Sequence, residues 1–489
     1  MNASIVAVLV VLGTLGAFSL FSVGTASAAS SPCSVTVHSE NGADNAIQTA
    51  INAYPGGRIC ISAGNFPEQL TVSNSNTVLS GAGASSTVIE PNSGSGAGTL
   101  SFAAVDWDSA PFSGGVPCGD STCVPLAAII LVTNSSSGPT TGVTIENLQV
   151  NGAAGSNNVA CGDDFVGVDF QNASGTLNRA SVTNVASPPS SFGCQEVSGA
   201  VYAYNGYFST WVAPSPALAV TISHTSITGY QKNGITCDDP AETCTLSTDT
   251  ITGAGPTTLT AQNGVQVAYG ALATIKSSTV TGNSYTGPTT SNDWYGPNGT
   301  YAAIGILLYD PATGTTVTKD TVTLNQIGIA YYDDGAMDAG SESVTISQNT
   351  VDQSNAYGIV ANGAPGGEDS VTIHANTIDN SVSLNPSIWG APGILVDTGT
   401  FTLSGNHITG SSTASGSSNG ASQTVCAPTG YPTVCSTTQS IPTGAIQGAS
   451  ESGTDVTVMV IGGNSYSGDS YQLTTLGVDG GTVNVKLVS

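Results

Sequence analysis

The chain has 489 residues, of which 32 are Asp or Glu and only 6 are Lys or Arg, so the formal net charge at pH 7 is −26. This balance argues against nucleic acid and anionic membrane surfaces as partners, because both are bound through clustered Lys and Arg. Charged residues make up 8% of the chain, but 39% of its residues are hydrophobic, which is enough to build a core. The length would ordinarily predict several domains, although repeat folds are an exception.

The first predicted element is a secretory signal peptide over residues 1–29. Residues 5–21 form an apolar run, and the small residues at 25–29 resemble an A-x-A cleavage site. No Lys or Arg precedes the run, so an uncleaved membrane anchor is the alternative. No later stretch reaches the roughly 18 apolar residues that a membrane-spanning helix needs. The sequence therefore predicts a secreted or cell-surface protein that is not inserted in a membrane after cleavage.

The cysteines agree with export, because all ten lie in the mature chain and their number is even. No C-x-x-C pair is present and only four His accompany them, so oxidised pairs are favoured over a zinc site. The cysteines predicted to form disulfides are Cys33, Cys60, Cys118, Cys123, Cys161, Cys194, Cys237, Cys244, Cys426 and Cys435.

Helical spacing of apolar residues marks the beginning of the mature chain. Ile47, Ala50, Ile51 and Tyr54 recur on one face, which predicts an amphipathic helix over residues 44–56.

A repeated pattern follows from about residue 141. Pairs of aliphatic residues five positions apart, such as Ile145 and Val150, predict two short strands joined by a tight turn. A third strand opens with a small residue and an aliphatic one, as at Gly234-Ile235. Three short strands per repeat, without helices between them, can close into a coil that stacks on copies of itself.

Stacked coils place equivalent positions about 4.8 Å apart, so columns of like residues are expected. Asn349, Asn376 and Asn406 share one turn position, where side-chain amides could hydrogen-bond along the column. A second column, predicted to be a backbone bend without Cβ atoms, holds Gly152, Gly229, Gly253, Gly282 and Gly410.

The chain resembles the right-handed parallel β-helix proteins of the pectin-lyase-like superfamily. The helix and the segments 55–66, 68–72 and 79–83 are similar to the capping helix and first coil of that superfamily. The resemblance implies an all-β, single-domain fold over residues 30–489, with three short strands per coil and about ten to eleven coils. It also implies a capping helix at 44–56 and a C-terminal coil or cap at 444–489.

The stacking of coils also predicts which cysteines pair. Cys161 and Cys194 precede the same strand in successive coils, which brings them within the distance that a disulfide spans. Cys237 is expected to bridge a turn to Cys244. Cys33, which precedes the helix, is expected to reach Cys60.

The superfamily's usual groove runs along the outer face of the strand that opens with a small residue. The candidate catalytic residues there are Asp163, Asp164, Glu196 and Lys232. Asp163 and Glu196 share one register on adjacent coils, and a separation of about 5 Å suits a retaining glycosidase pair. Lys232 could serve as the base of an elimination lyase or could simply pair with these acids. Asp163-Asp164 also resembles part of the polygalacturonase G-D-D motif, but the other motifs of those enzymes are absent.

Candidate substrate contacts lie beside these acids. Asp169 and Tyr202 follow the aliphatic residues Val168 and Val201, which are predicted to be buried, so both should point outward. The other two candidates, Trp211 and Trp294, lie in insertions, where they could stack on sugar rings or pack within the loops.

Calcium is the one cofactor that the residues suggest. Its predicted ligands are Asp333, Asp334 and Asp338, although Asp and Asn at such positions also favour tight turns. The acids near Asp163 are an alternative calcium site.

Two functions remain open at this point, and the sequence does not decide whether the protein is an enzyme. The favoured one is a secreted protein that recognises an extracellular polysaccharide and could cleave it as a lyase or a glycosidase. The alternative is a non-catalytic adhesin or cell-envelope protein, since the β-helix fold carries both kinds of function.

Overall fold

The computed structural model describes residues 32–39, 45–91, 100, 103–104, 125–135, 138–153, 159, 163–188, 192–193, 199–205, 217–286, 302–333, 342–364, 369–379, 381–383, 392–410, 412–413, 422–426, 435–440, 444–450, 456–467, 471–477 and 482–487. Residues 33–489 form one compact unit. No helix among the described residues is long and apolar enough to cross a membrane.

Three parallel sheets, here called A, B and C, run the length of this unit and receive strands from each coil in turn. Sheet A contains β1 (Val35–Val37), β2 (Arg58–Ile61), β5 (Val78–Gly81), β9 (Thr140–Glu146), β12 (Ala173–Asn178), β15 (Leu218–Ser223), β18 (Glu242–Ser247), β21 (Leu272–Lys276), β24 (Thr316–Thr318), β27 (Ser343–Ser347), β30 (Ser370–His374), β34 (Gly399–Ser404), β40 (Val456–Gly462) and β43 (Thr482–Leu487).

Sheet B contains β3 (Gly64–Pro67), β6 (Thr87–Glu90), β10 (Gln149–Asn151), β13 (Ser181–Thr183), β16 (Ser226–Thr228), β19 (Thr250–Thr257), β22 (Thr279–Tyr285), β25 (Thr321–Thr323), β28 (Thr350–Asp352), β31 (Thr377–Asp379), β35 (His407–Thr409) and β41 (Ser465–Ser467).

Sheet C contains β4 (Leu70–Val72), β7 (Ala103–Ala104), β8 (Pro125–Thr133), β11 (Asp164–Gln171), β14 (Gly199–Tyr204), β17 (Asn233–Asp238), β20 (Asn263–Ala268), β23 (Ile304–Tyr309), β26 (Ile327–Tyr332), β29 (Tyr357–Asn362), β33 (Ile394–Asp397), β39 (Gly444–Ser450) and β42 (Tyr471–Gly477). Two small pairs stand apart: β32 (Val382–Ser383) with β36 (Ser412–Thr413), and β37 (Ser422–Cys426) with β38 (Cys435–Ser440).

This arrangement is a parallel β-helix with three short strands per coil, as the sequence predicted. The sheets hold 14, 12 and 13 strands, so the stack is longer than the ten to eleven coils expected. The extra strands lie at the two ends, where the aliphatic pattern is less regular. At the N-terminal end, for example, both β2 and β5 add to sheet A before the regular repeat begins.

The core is a set of aliphatic columns inside the coil. Ile346 pairs with Ile373, which pairs with Leu403, and all three side chains are fully buried. The V-T-I pattern produces these buried columns because alternate residues of a strand point to opposite faces, and because β-branched residues fit a pleated surface. The central threonines remain on the outer face.

One short helix, α1 (Ala46–Ala53), packs its apolar face on the first coils. Ile47, Ala50 and Ile51 are buried, and the backbone N–H groups of Ile47 and Gln48 donate to the Glu68 carboxylate at 2.9 and 3.0 Å. The helix is shorter than the predicted 44–56. Tyr54, predicted on the buried stripe, follows the last helical residue and is 43% exposed.

The predicted asparagine column is confirmed. The backbone N–H and the side-chain Nδ2 of Asn349 both donate to Oδ1 of Asn376, at 2.9 and 3.1 Å. Asn376 makes the same two bonds to Asn406, both at 3.0 Å, and Asn406 repeats them to Asn464. In the other direction the column continues through Asp320, Ser278 and Asp249.

The glycine column forms the bend between sheets B and C. Gly229, Gly282 and Gly410 have φ values of 67°, 77° and 65°, which L-residues with a Cβ rarely adopt. At Gly152 the reason is space, because a Cβ there would lie 2.4 Å from the Asn184 carbonyl oxygen.

Two of the predicted disulfides are present, Cys33–Cys60 and Cys237–Cys244, with Cα–Cα distances of 5.7 and 6.3 Å. Cys426 and Cys435 lie opposite each other in the antiparallel pair β37–β38. The remaining predicted pairs lie outside the described residues; these involve Cys118, Cys123, Cys161 and Cys194.

Candidate functional site

The outer face of sheet C changes character along the stack. On four consecutive strands, β11, β14, β17 and β20, its outward side chains are mostly polar. We call this set the polar patch; it consists of Asp164, Asp169, Gln171, Tyr202, Tyr204, Asn233, Thr236, Asp238, Asn263 and Gln266. Its central row, Asp169–Tyr202–Thr236–Gln266, spans three inter-strand steps, or about 14 Å.

Apolar residues border the patch on both sides. On β8 the outward residues Leu126, Ala128 and Leu131 are apolar and cluster with Tyr202 and Tyr204 of the patch. The last outward residue of β8, Thr133, is polar and lies opposite Gln171. On the strands that follow β20, Ile304, Ile327 and other apolar side chains form a separate buried cluster on the same face. The polar residues are thus concentrated on these four strands, although Asn362, Asp397 and Gln447 also lie on this face further along the stack.

Asp169 is the least expected member of the patch. It lies on the outward face, as predicted, because Val168 and Phe170 on either side of it belong to the core. Its side chain is nevertheless 0% exposed, and among the described residues neither carboxyl oxygen has a hydrogen-bond partner. This burial raises the pKa of Asp169 to about 8, so the carboxyl is mostly protonated at neutral pH.

Asp164, at the start of the same strand, is in a similar state. It is buried, and its Oδ2 atom has no hydrogen-bond partner. Burial, and secondarily the neighbouring Asp163, raise the pKa of Asp164 to about 7. Asp169 lies five positions after Asp164 along β11, so the two carboxyls are roughly 15 Å apart and do not form a close pair.

Tyr202 and three amides connect the middle of the patch. The Asn233 Nδ2 atom donates to the Thr236 hydroxyl at 3.0 Å and approaches the Tyr202 hydroxyl at 3.5 Å. Asn263 donates to Asn233 at 3.2 Å and to Gln266 at 3.1 Å. Burial raises the pKa of Tyr202, so its hydroxyl stays neutral.

The patch reaches the surface at its edges. Gln171 and Gln266 are partly exposed, and Gln171 lies two residues after Asp169 on the same face. The Gln171 amide donates to the Tyr204 hydroxyl. A ligand that approached along this edge would therefore meet side-chain amides first and Asp169 behind them.

A second acidic group lies at the end of β17, in the turn that the Cys237–Cys244 disulfide closes. Asp238, Asp239 and Glu242 are all buried there. Burial raises the pKa of Asp238 well above its ordinary value, that of Asp239 to about 7, and that of Glu242 to about 9. Glu242 was not among the site residues predicted from the sequence. The pattern that could have indicated it is the presence of three acids between two nearby cysteines.

A cleft of about 430 Å³ opens at the bend between sheets B and C. It is lined by Ala153, Asn184, Ala186, Ser187, Phe192, Gly229 and Leu259. The Ser187 backbone N–H donates to Oε1 of Gln231 at 2.8 Å. Gln231 lies two residues before Asn233, so the cleft adjoins the amino edge of the polar patch.

The remaining site predictions divide into two groups. Asp163 and Lys232 are partly exposed and precede β11 and β17. Five predicted residues lie outside the described ranges: Glu196, Trp211, Trp294, Asp334 and Asp338.

The predicted calcium ligands are represented only by Asp333, which is buried at the end of β26. Among the described residues, no three His, Cys, Asp or Glu side chains are arranged to hold a metal ion. At equivalent turn positions Asn172, Asp239 and Asp310 have φ values of 48°, 81° and 44°. This left-handed geometry supports the turn-forming interpretation of the column.

Comparison with solved structures identifies the architecture. The A-module of the mannuronan C-5 epimerase AlgE4 from Azotobacter vinelandii matches over 91% of this chain and 96% of its own, with a TM-score of 0.50 and 14% identity. The AlgE6 A-module from the same organism gives a TM-score of 0.49, 15% identity and the same coverages. A family 28 exopolygalacturonase from Yersinia enterocolitica gives 0.44 and 11% identity, over 91% of this chain and 75% of its own.

The chain has a right-handed parallel β-helix fold. At these identities the likeness shows the fold alone. No protein-family model and no curated protein sequence matches the chain.

Proposed function

We propose that the protein is a secreted glycan-recognising β-helix protein, that the polar patch is its glycan site, and that Asp169 is the proton donor of a glycosidic cleavage. One observation carries the proposal: Asp169 is fully enclosed on a polar face and has no hydrogen-bond partner in the part of the chain that the structure describes. Enclosing such a group without a partner costs about 1–3 kcal/mol. Titratable groups with this environment and a shifted pKa concentrate at functional sites.

The chemistry of the patch suits an uncharged acid. With a pKa of about 8, Asp169 carries its proton at neutral pH and can donate it to a glycosidic oxygen as the bond to the anomeric carbon breaks. Water then adds to that carbon, and a proton from the water restores the acid. The amides of Asn263 and Gln266 supply donors and acceptors for sugar hydroxyls.

Elimination is the less favoured reaction. It needs a base at the reacting centre, and Lys232 lies at the edge of the patch and is partly exposed. Asp164 and Asp169 both hold their protons too strongly to act as bases below about pH 7.

Two further observations support the wider proposal. The Azotobacter module, which shares the fold, acts on mannuronan according to its name, although fold analogy alone does not transfer an activity. The two disulfides are typical of proteins outside the reducing cytosol, which agrees with the signal-like segment at residues 1–29.

The test compares the parent with Asp169→Asn and with Asp352→Asn, an acid on sheet B. The parent is expected to bind a glycan from a panel of polysaccharides and to generate new reducing ends. Asp169→Asn should keep most of the binding and lose at least 100-fold in rate, a typical contribution of a general acid. Asp352→Asn should match the parent. Reducing ends formed at the parent rate by Asp169→Asn would refute the catalytic assignment.

The complete burial of Asp169 is the observation that favours the second candidate, a non-catalytic surface or envelope protein. In that case the polar patch is a buried structural part of the fold and binds no ligand. The same experiment distinguishes the two, because a purely structural patch predicts no reducing ends from the parent or from either variant.

A further inference from the structure

Positive charge is almost absent from the side of the molecule that carries the polar patch. The chain has only six Lys and Arg residues, and all six are among the described residues. Five belong to sheet A or to the turns that follow its strands: Arg58, Arg179, Lys276, Lys319 and Lys486. Only Lys232 lies near sheet C.

The sheet A cations are not directed toward a ligand on sheet C. Arg58 on β2 is paired with Glu146 on β9, across the intervening strand β5 of sheet A. Histidine adds no positive charge near sheet C. Three of the four His residues lie at the ends of sheet A strands, and the fourth, His407, begins a strand of sheet B. A ligand on the patch would therefore lie near a single cation, Lys232, at the edge of the patch.

The patch itself offers acids and amides. Asp164, Asp169 and Asp238 lie on its strands, and Asn233 and Asn263 lie opposite each other on β17 and β20. A protonated acid donates a hydrogen bond to a neutral hydroxyl, and an ionised acid repels a carboxylate. A protonated acid or an amide can also donate to a carboxylate, but none of these groups supplies the positive charge that would offset the cost of desolvating an anionic sugar.

We infer, on the basis of the proposed function, that the polar patch selects uncharged glycans and rejects polyuronates. The net charge of −26 adds a repulsion that acts on any polyanion before contact. Calcium could in principle bridge an acidic site to a uronate, but the part of the chain that the structure describes holds no group of three suitable ligands.

The experiment uses polymers that differ only in charge. Polygalacturonate and alginate are each compared with their carboxyl-reduced forms, which keep the backbone and linkage, and neutral glucans are added to the panel. Equilibrium binding is measured at pH 7 in 0.15 M salt, with EDTA and again with Ca²⁺. We expect a neutral polymer to bind at least tenfold more tightly than any polyuronate, in both conditions.

A charge-insertion variant tests the cause of the selectivity. Gln266→Lys places a cation at the exposed edge of the patch and is expected to raise polyuronate affinity several-fold. The matched control is Thr274→Lys on sheet A of the same coil, which is also partly exposed and should leave affinity unchanged. The gain should shrink in 1 M salt, where charges are screened beyond about 3 Å.

Two failures are distinguishable. If a polyuronate binds as tightly as its reduced form, or binds once Ca²⁺ is added, the selectivity inference is wrong while the glycan-binding proposal stands. If no polymer of the panel binds, the proposed function fails and the inference fails with it.

Discussion

At the scale of single residues, Asp169 determines what the patch can do. It has the same strand position as Tyr202, Thr236 and Gln266, yet it alone among these four carries an acid. A carboxyl in this position is tolerated in the fold because it can keep its proton, which removes the much larger cost of burying a charge.

This gives a pH-dependent prediction for Asp169→Asn. The pKa of Asp169 is about 8 in the folded protein, above its ordinary value of 3.8. In the folded protein the carboxyl therefore ionises only as the pH rises past about 8. In the unfolded parent Asp169 ionises near pH 4, so the parent loses stability relative to the variant as the pH rises from about 4 to 8. At pH 3, where Asp169 is protonated in both the folded and the unfolded parent, the two proteins should melt within about 2 °C of each other. At pH 9 the variant should be the more stable, by at least about 1 kcal/mol.

The measurement is thermal unfolding at both pH values, with Asp352→Asn as the control. Equal differences between parent and variant at pH 3 and pH 9 would show that Asp169 is not a buried neutral acid.

A second residue-level prediction concerns the core. Ile373→Asp places a charge in a fully buried column between Ile346 and Leu403, and should cost several kcal/mol. Thr372→Asp, one residue earlier and partly exposed, should cost less than about 1 kcal/mol. Urea unfolding of the two variants checks this. A parent-like midpoint for Ile373→Asp would mean that this side chain is not part of the core.

At the scale of the elements, the asparagine column links successive coils through side chains. Asn376 accepts from Asn349 and donates to both Asn406 and the Ile346 carbonyl. Asn376→Ala should therefore leave buried backbone and side-chain groups without partners and cost about 2–4 kcal/mol, from about 1–3 kcal/mol for each orphaned group.

Asn376→Asp is the graded control, since Asp320 and Asp249 occupy the same column with acids. An Asp can still accept from the Asn349 N–H but cannot donate to the Ile346 carbonyl, so its cost should be intermediate. Unfolding free energies in urea decide the order. If Asn376→Ala and the parent unfold at the same denaturant concentration, the column contributes nothing.

The sequence was sufficient for the elements but not for the site. The V-T-I repeats and the Asn and Gly columns have fixed spacing, so the three-stranded coil and the positions of Asn349 and Asn376 could be predicted. Alternation also gave the outward direction of Asp169 and Tyr202. Their burial could not be predicted, because it depends on what packs against the sheet and not on the strand itself. Glu242 was missed for the same reason: only the folded turn encloses it.

At the scale of the whole molecule, the buried acids set the response to pH. Burial raises the pKa values of Asp164, Asp239, Asp249 and Asp320 to about 7 and those of Asp169 and Glu242 to about 8 and 9. In the unfolded chain these groups ionise near pH 4. The folded state therefore binds more protons between about pH 4 and pH 8, and its stability falls as the pH rises through this window.

The net charge acts in the same direction, because self-repulsion grows as the acids ionise. We expect the melting temperature to be highest near pH 4 and to decline toward pH 8, the reverse of proteins that lose stability when paired carboxylates are protonated. Calorimetry across this range checks the trend. A maximum near pH 8 would mean that these carboxyls are ionised in the folded protein.

The central claim, that the polar patch is a glycan site, is tested most directly by a crystal structure of the protein with a bound oligosaccharide of the polymer it prefers. We expect sugar rings along the row from Asp169 to Gln266, with a glycosidic oxygen or a hydroxyl within hydrogen-bonding distance of the Asp169 carboxyl. Sugar bound elsewhere, on sheet A or only in the cleft at Phe192, with Asp169 still enclosed and unpartnered, would contradict it.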